Sequence, residues 1–400
     1  MRTRYMLFKS DTEPIVIIMV ILLVTGTINV FSSSYVLAAM DFEDPYYFLC
    51  RHLQWLGLGT VACYICRKVD YQKRRMSIFF VACIVIGMLI LVLLTGRTVN
   101  GAQRWLEIGS FVSFQPAEFA KLMSVLLGAF CISALLAKKR FRLGTDFNVV
   151  AVPFFAILFM AFFIYREPDF GTACIVLGVP LLMGLILLLR AWYYWLFIVP
   201  IGGMLVYLIG VLQPYRMKRL SVWYDPWSDA RDAGYQMVQS LSTIGSGGIF
   251  GMGFGDGVSK YEYLPEAHTD FAFAIFSQEH GFLGVLLIFF LLAVLLLACM
   301  RVAARAKDPF GQVLALGIVF LVLGQAFANL AMVAGLLPVV GIPLPFISYG
   351  GSSLIVTMAG MGMLLGVADR SHAQTSAEKK KRAVPTEEPE ERHSHIHVVR

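Results

Sequence analysis

The segment YLPEAHTDFAF, residues 263–273, sets two carboxylates and a histidine at the start of a long apolar run. Pro265 suits the first position of a helix, and Glu266 and Asp270 would then share one helix face, one turn apart. Two carboxylates this close at a membrane boundary can push the pKa of one of them upward, which makes Asp270 a candidate general base or metal ligand. The alternative is that both acids only favour the positive end of a helix dipole. Glu266 and the intervening His268 are candidates for substrate binding, although an interfacial histidine needs no special role.

Three more ionisable residues stand at the ends of other apolar runs. Glu118 and Lys121 are three residues apart in QPAEFAKL, so they can form an ion pair on one helix face. Because charge is costly at membrane depth, we expect both side chains to face the protein interior or a polar cavity. Asp169 stands between Pro168 and Gly171, a composition typical of a tight turn. Turn chemistry is sufficient to explain Asp169, which is also a candidate for substrate binding.

Basic and aromatic residues in the predicted loops could bind phosphate groups. Arg104 and Trp105 pair a fixed positive charge with an aromatic ring of the kind that anchors at lipid headgroups. Arg216 lies in a basic stretch with Lys218 and Arg219. Arginine is suited to bidentate phosphate recognition, so Arg104, Trp105 and Arg216 are candidates for substrate binding. A solvated loop face is the alternative for the stretch around Arg216.

Two segments rich in glycine or proline interrupt the apolar pattern. Seven glycines occur in residues 245–257 without a phosphate-binding glycine motif, and they predict either a flexible loop or a closely packed re-entrant one. The segment PLPFISYGGSS, residues 343–353, holds two prolines and two glycines. Because non-helical backbone at membrane depth is tolerated where it lines a cavity, Ser348, Gly350 and Gly351 are candidates for the wall of a binding site. An ordinary turn is the alternative.

Membrane-spanning helices must position all of these residues. The chain has 400 residues, 58% hydrophobic and 15% charged, and its apolar runs reach the length of about 20 residues that a spanning helix needs. We predict an all-α integral membrane protein with ten transmembrane helices in residues 14–368 and a large extracytoplasmic loop, residues 212–266, between the seventh and eighth. Residues 1–13 and 369–400 are predicted to be tails, the second of them disordered because it is polar and charged. The ten predicted spans are 14–38, 47–66, 76–95, 116–137, 148–165, 171–189, 192–211, 267–299, 310–334 and 350–368.

The distribution of Lys and Arg predicts the orientation of the chain. These residues are concentrated in the segments that are cytoplasmic when the amino terminus is inside, so both termini are predicted to be cytoplasmic. The candidate residues then all emerge on the outer face, which indicates one extracytoplasmic site. The formal net charge of +7 follows this topology and does not indicate a nucleic-acid partner. The seven cysteines lie in or at the ends of apolar runs, so no exported disulfide framework is predicted.

Five motifs occur in sequence along residues 14–368: GAQRW, FQPAEFAKL, PDFGTA, LPEAHTDF and GIPLPFISYGGSS. In their order and spacing the chain resembles the SEDS family, the FtsW, RodA and SpoVE proteins of bacterial cell-wall synthesis. The resemblance implies a peptidoglycan glycosyltransferase in the cytoplasmic membrane that polymerises lipid II on the outer leaflet. It also implies that Asp270 is required for polymerisation and that Glu118 and Lys121 line the central cavity. The alanine before His268 resembles the FtsW and SpoVE branch more than the RodA branch.

One short segment departs from the family pattern. Where relatives commonly read GEELG after the HTDF motif, this chain reads SQEHG, residues 277–281. The second acid is kept as Glu279, the first is replaced by Gln278, and His280 is gained. The sequence predicts no role for Gln278 or His280.

We expect Asp270 to deprotonate the 4-hydroxyl of an incoming lipid II during cell division. Arg104, Arg216 or a divalent cation, Mg²⁺ or Mn²⁺ with Asp270 as ligand, would stabilise the pyrophosphate leaving group. The resemblance implies as partners undecaprenyl-linked glycan, a class B penicillin-binding protein with transpeptidase activity against spans 8 and 9, and other division proteins. A lipid II flippase is the main alternative, and it would place polar groups through the membrane and on both faces. A scaffold for division proteins and a paralogue for elongation or sporulation also stay open.

Overall fold

The structure is a computed structural model that describes residues 11–71, 76–99, 102–108, 112–137, 143–188, 221–261 and 263–383. Its helices, in chain order, are α1 (Thr12–Phe42), α2 (Tyr47–Lys68), α3 (Ser77–Thr95), α4 (Pro116–Leu136), α5 (Leu143–Arg166), α6 (Phe170–Leu188), α7 (Tyr235–Ser246), α8 (Ala272–Arg305), α9 (Pro309–Val333) and α10 (Gly351–Ala383). Eight of these helices, α1, α3 to α6 and α8 to α10, are long and apolar enough to cross a membrane. The chain is therefore a multi-pass membrane protein.

The helices coincide with nine of the ten predicted spans. The remaining one, residues 192–211, lies outside the described residues. α2 occupies the second predicted span although its composition is less apolar than that of the eight. The count of ten transmembrane helices stays a prediction, and so does the placement of the loop at residues 212–266.

A small antiparallel sheet follows α3, so the prediction of an all-α protein was wrong in this segment. In the order of the sheet its strands are β1 (Arg97–Val99), β2 (Ala102–Ile108) and β3 (Val112–Phe114). Trp105 pairs opposite Arg97, and Leu106 pairs opposite Phe114. The three runs are short and carry aromatic and branched side chains, a composition that favours strands. An ion pair of 2.8 Å between Arg97 and Glu107 also joins β1 to β2.

The segment that carries Asp270 is not the first turn of a helix, as its sequence predicted. α8 begins at Ala272, and residues 263–271 form turns instead. Glu266 adopts a left-handed conformation with a φ of 55°. This conformation interrupts any helix that starts at Pro265. Glu266 and Asp270 therefore do not share a helix face.

α8 is broken at Gly281, where φ is 64° and ψ is −166°. The glycine-rich segment, residues 245–257, packs against this break. The backbone N–H of Phe282 donates a 2.9 Å hydrogen bond to the carbonyl of Gly248, and a Cβ on Gly281 would overlap the backbone of Gly251. Of the two predicted alternatives, the closely packed one is the structure that forms.

α10 continues well beyond residue 368, where its predicted span ended. The prediction of a disordered tail over residues 369–400 was wrong as far as Ala383, and the rest of the tail lies outside the described residues. Arg67 of α2 holds this extension through a bidentate contact with Asp369, at 2.7 and 3.0 Å. This bidentate contact between Arg67 and Asp369 stabilises α10 in a segment whose composition predicted disorder.

α9 lies at the centre of the bundle and packs against α4, α6, α8 and α10. α10 also runs along α2, and here close approach depends on glycine. A Cβ on Gly362 would overlap the carbonyl of Cys63, and one on Gly366 would lie 2.7 Å from the carbonyl oxygen of Arg67. Gly362 and Gly366 are one turn apart, the spacing at which small residues let membrane helices approach closely.

We expect Gly362→Ala to lower the free energy of unfolding by about 1–3 kcal/mol, because overpacking forces α2 and α10 apart. Gly360→Ala in the same helix is the matched control. It carries the same gain in helix propensity, and a Cβ there meets Ile318 and Leu122 only at 3.6 Å. Thermal unfolding of the purified proteins in detergent measures the difference. Equal unfolding temperatures for the two variants would contradict this packing of α10 on α2.

Candidate active site

Asp270 lies two residues before α8 and is half-buried. Its backbone carbonyl accepts a 2.8 Å hydrogen bond from Asn329 Nδ2 of α9. The loop between α9 and α10 lies against its carboxylate, because a Cβ on Gly341, whose φ is 70°, would be 3.3 Å from Asp270 Oδ2. Glu266 is exposed, and its Oε2 accepts a 2.6 Å hydrogen bond from Thr269 Oγ1. The backbone of Asp270 is thus bound to the central helix α9, and its carboxylate lies against the loop between α9 and α10.

Burial raises the pKa of Asp270 to about 7. The negative charges of Glu266, Asp169 and Glu118 act in the same direction, and the Arg104 guanidinium opposes them. The sequence pointed to a neighbouring carboxylate as the cause, whereas desolvation is the larger one. A carboxyl group that titrates near neutral pH can take up and release a proton under physiological conditions, as a general base must.

Glu118 and Lys121 of α4 form a buried ion pair, with 2.7 Å between Lys121 Nζ and Glu118 Oε2. The two residues are 5% and 1% exposed, so both face the protein interior, as predicted. Lys121 Nζ also donates a 2.8 Å hydrogen bond to Gln325 Oε1 of α9. Burial of this pair is tolerated because the charges are matched and the ammonium group has a further partner.

Gln325 and Asn329, called the amide pair below, connect this ion pair with Asp270. Both are buried, and they lie one turn apart on α9. Gln325 Nε2 donates a 2.9 Å hydrogen bond to the carbonyl of Pro343. Asn329 Nδ2 donates to the carbonyl of Ile342 at 2.7 Å as well as to that of Asp270. Sequence reasoning missed both residues, although two amides four residues apart in an apolar span are a signal, because polar groups there need internal partners.

Asp169 caps the start of α6. Its Oδ1 accepts a 3.1 Å hydrogen bond from the backbone N–H of Thr172, and its Oδ2 accepts a 2.9 Å hydrogen bond from Gln115 Nε2. The turn chemistry predicted for Asp169 is confirmed. The backbone N–H of Gln115 in turn donates to Ser352 Oγ at 3.0 Å. These contacts bring the starts of α4, α6 and α10 together at one end of the bundle.

Arg104 of β2 lies against the turn between α5 and α6. Its Nε donates a 3.1 Å hydrogen bond to the carbonyl of Glu167, and its Nη2 donates a hydrogen bond to the carbonyl of Pro168. Because arginine has five N–H donors, these contacts leave it capacity to bind a phosphate. Trp105 is half-buried beside it in β2. Arg216 lies outside the described residues.

Glu167 is a buried acid that sequence reasoning missed. It is 0% exposed, and neither carboxylate oxygen has a hydrogen-bond partner in the described part of the chain. Burial raises the pKa of Glu167 to about 8, Asp169 acts in the same direction, and Arg104 opposes them. The group is therefore mostly protonated at neutral pH, which avoids an unpaired buried charge. An acid directly before a tight turn between two apolar runs was the available signal.

The loop between α9 and α10, residues 334–350, is joined to the turns before α8. The backbone N–H of Tyr349 donates a 2.9 Å hydrogen bond to the carbonyl of His268. The centroid of the His268 ring lies 4.7 Å from that of Phe48 and 5.7 Å from that of Tyr349. Burial lowers the pKa of His268, and the charge of Glu266 opposes this. His268 is thus an aromatic packing residue, and its binding of substrate stays a prediction.

The serine and glycine candidates shape the same loop. Ser348 Oγ accepts a 3.0 Å hydrogen bond from the backbone N–H of Leu344. A Cβ on Gly351 would overlap the ring of Trp55, so only glycine fits there. Gly350 is half-buried beside it. These contacts favour a structural role, and substrate binding by the three residues stays a prediction.

A second buried ion pair fixes the loop between α7 and α8. Lys260 Nζ lies 3.1 Å from Glu279 Oε1, which also accepts a 2.6 Å hydrogen bond from Ser32 Oγ of α1. Gln278 Nε2 donates a 2.7 Å hydrogen bond to Ser246 Oγ at the end of α7. Gln278 and Glu279 of the SQEHG segment thus fasten this loop to α8.

A resident metal centre is not formed by the described residues, which contain no group of three His, Cys, Asp or Glu side chains able to hold an ion. Mg²⁺ usually keeps several waters and is held by one or two carboxylates together with substrate phosphates. The half-buried Asp270 carboxylate fits that mode, in which the substrate completes the coordination. It does not fit an all-protein cage.

Comparison with known proteins identifies the family. A model described as cell cycle protein, for FtsW, RodA and SpoVE, matches residues 13–373. The chain belongs to the FtsW/RodA/SpoVE family. Stage V sporulation protein E of Bacillus subtilis (strain 168) is 38% identical over 365 residues, which cover 90% of this chain and 98% of that protein. A probable peptidoglycan glycosyltransferase FtsW of Geobacter sp. (strain M18) is 38% identical over 368 residues, which cover 90% of this chain and 97% of that protein.

Solved structures agree with this FtsW/RodA/SpoVE assignment. One solved structure is described as structural coordination of polymerization and crosslinking by a peptidoglycan synthase complex. One of its chains matches this protein with a TM-score of 0.71 and 27% sequence identity, and the match covers 90% of this chain and 97% of that chain. The crystal structure of the rod shape determining protein RodA of Thermus thermophilus has a TM-score of 0.61 and 25% identity, covering 90% and 96%. The family read from the five motifs is confirmed.

We expect Glu167→Gln to reduce the pH dependence of stability. Because the pKa of Glu167 is raised in the folded protein, its proton stabilises the fold at low pH, and this contribution is lost as the pH rises through about 8. The wild type should therefore unfold at a lower temperature at about pH 9 than at about pH 6, and the neutral glutamine should make this difference smaller. Thermal unfolding in detergent at the two pH values measures it.

Glu43→Gln, which replaces an exposed acid, is the control for this experiment. It should keep the pH dependence of the wild type. If Glu167→Gln also kept it, the buried acid would not be protonated in the folded protein at neutral pH.

Proposed function

We propose that this member of the FtsW/RodA/SpoVE family is a peptidoglycan glycosyltransferase that polymerises lipid II into glycan strands on the outer leaflet during cell division. The observation that carries the proposal is the half-buried Asp270 carboxyl group, whose pKa of about 7 suits a general base. The name of the Geobacter relative, a probable peptidoglycan glycosyltransferase, supports this activity. So does the likeness to a chain of a peptidoglycan synthase complex.

In this proposal the ionised Asp270 takes the proton of the GlcNAc 4-hydroxyl of an incoming lipid II. The hydroxyl oxygen forms a bond to the anomeric carbon of the growing chain while the bond from that carbon to the pyrophosphate oxygen breaks. The electron pair of the broken bond leaves with the lipid pyrophosphate. A single displacement of this kind inverts the configuration at the anomeric carbon.

Positive charge is needed where the pyrophosphate leaves. Arg104 is the described cation best placed for this, since its contact with the Glu167 carbonyl fixes the guanidinium and its charge acts on Asp270. Lys121 is engaged by Glu118 and Gln325, so it supports the cavity wall. Arg216 is a further candidate from the sequence. A Mg²⁺ or Mn²⁺ ion at Asp270 would neutralise charge on the leaving pyrophosphate.

The substrates and partners follow from the same placement. With both termini cytoplasmic, the site opens to the outer leaflet, where the undecaprenyl tails of lipid II and the growing glycan stay in lipid.

A class B penicillin-binding protein is the proposed partner against α8 and α9, together with other division proteins. α9 is largely buried within the described bundle, whereas α8 exposes apolar side chains. The exposed large side chains of α8 after its break at Gly281 include Phe282, Leu286, Leu287 and Phe290. We therefore expect α8 to provide most of the contact.

A sporulation-type role is the second candidate, with the same chemistry. The Bacillus stage V sporulation protein E is as similar to this chain as the Geobacter FtsW, each at 38% identity. A flippase is less favoured, because the polar contacts of the candidate site collect at one end of the bundle, at the starts of α4, α6 and α10 and just before α8.

Asp270→Asn should lower the rate of lipid II polymerisation by roughly a hundredfold to ten-thousandfold, because asparagine keeps the size of the side chain but cannot take a proton. The assay uses purified protein with its transpeptidase partner in proteoliposomes, and glycan products from labelled lipid II are resolved on gels. Asp256→Asn, an exposed acid in the same loop, is the matched control and should keep the wild-type rate.

Lipid II translocation is measured in the same vesicles. Translocation without glycan product in the wild type would favour the flippase. If Asp270→Asn kept more than about a tenth of the wild-type rate, Asp270 would not be the general base. Glu266 would then be the first residue to replace.

A further inference from the structure

Among the described residues, Asn329 makes the only hydrogen bond between the central helix α9 and the backbone of Asp270. The side chain is 0% exposed, and its amide nitrogen uses both N–H groups. One donates to the Asp270 carbonyl at 2.8 Å and the other to the Ile342 carbonyl at 2.7 Å. A single amide thus holds the turn before α8 and the loop after α9 together.

The acceptor side of this amide is unused. Asn329 Oδ1 has no hydrogen-bond partner within the described part of the chain. Burying a polar atom without a partner costs free energy, so packing alone favours an apolar side chain at this position. Asparagine supplies two N–H donors at this position, and leucine would supply none.

The Ile342 carbonyl belongs to the loop that lies against the Asp270 carboxylate. Ile342 directly follows Gly341, and a Cβ on Gly341 would lie 3.3 Å from Asp270 Oδ2. The same amide therefore sets the backbone of the acid and the backbone that its carboxylate faces. One turn earlier, Gln325 accepts from Lys121 and donates to the Pro343 carbonyl. α9 thereby sets the acid and the Glu118–Lys121 pair from one rigid element.

We propose that Asn329 is a positioning residue, which fixes the Asp270 carboxylate against the loop between α9 and α10 and so holds it in reach of the acceptor hydroxyl. This inference rests on the proposed function, because it assigns to Asn329 an action through the general base. Asn329 itself touches neither substrate nor reacting atoms in this account. Misplacing a reacting group by about 1 Å can cost on the order of a hundredfold in rate.

Asn329→Leu tests the proposal, since leucine has the same number of side-chain heavy atoms, also branched at Cγ, and removes both donors. The turnover rate at saturating lipid II should fall by roughly tenfold to a hundredfold. KM should change by less than about threefold, because binding of the ground state is not what the amide serves. Asn329→Thr keeps one hydroxyl donor and should fall between the wild type and leucine. It also provides a folded variant if leucine is poorly tolerated.

The pH dependence of turnover gives a readout that a purely structural role would not move. In the wild type the rate should rise with pH through about 7, as Asp270 loses its proton. The groups that act on this titration are Glu266 in the same turns, Asp169 before α6, Arg104 in β2 and Glu118 in α4. If Asn329→Leu frees the Asp270 carboxylate to move towards water, its desolvation decreases and its pKa falls. The increase in turnover rate with pH should then occur at lower pH.

Ser240→Ala is the matched control. Its hydroxyl donates a buried 2.8 Å hydrogen bond to the Val333 carbonyl, one turn after Asn329 on the same helix. The control should lose thermal stability without a change in turnover rate or in pH dependence.

The outcomes separate this inference from the proposed function. If Asp270→Asn is inactive while Asn329→Leu and Asn329→Thr keep the wild-type rate and pH dependence, the positioning role is wrong and the proposed chemistry stands. If Ser240→Ala loses as much turnover as Asn329→Leu, the effect is general destabilisation and the positioning role is again wrong. If Asp270→Asn remains active, the proposed mechanism fails before Asn329 is considered.

Discussion

The cost of burying carboxylates at one end of a membrane bundle is the constraint on which this structure depends. An ionised carboxylate away from water must be paired or hydrogen-bonded, or it takes up a proton. Glu118 and Glu279 are paired with lysines, Asp169 accepts two hydrogen bonds, and Glu167 favours its neutral form. Asp270 has no ion-pair partner of its own among the described residues, and it is half-buried. Of these described acids with raised pKa values, Asp270, at about 7, lies nearer to neutral pH than Glu167, at about 8.

Several chain segments distant in sequence have to meet for this to happen. The break at Gly281 lets the glycine-rich loop pack against α8, and the Lys260–Glu279 pair holds that loop in place. The amide pair on α9 then ties the Glu118–Lys121 pair and the turns before α8 to the loop that leads into α10. A general base gains from such support, because its reach to the substrate is set by backbone that cannot easily move. The site is thus built from segments that the bundle brings together.

Sequence reasoning recovered what local pattern encodes. Length and hydropathy predicted helices at nine positions where the structure has them, eight of which are apolar enough to span a membrane, and the spacing of Glu118 and Lys121 predicted their ion pair. It missed what depends on distant contacts. The two carbonyls held by Asn329 are 59 and 13 residues away in the chain, so no local pattern shows their pairing. Pro265 suggested a helix start, but Glu266 turns into a left-handed conformation, and the short strands after α3 were overlooked among apolar helices.

The protonation state of Asp270 is the most direct test of the account. Infrared difference spectra between the wild type and Asp270→Asn, recorded in lipid across a range of pH, isolate the carbonyl stretch of the protonated acid. We expect this band to disappear with a midpoint near 7, because burial and the neighbouring carboxylates hold the proton. A midpoint near 4, the ordinary value for a solvated aspartate, would contradict it, since Asp270 would then be a fixed charge and a poor base at neutral pH.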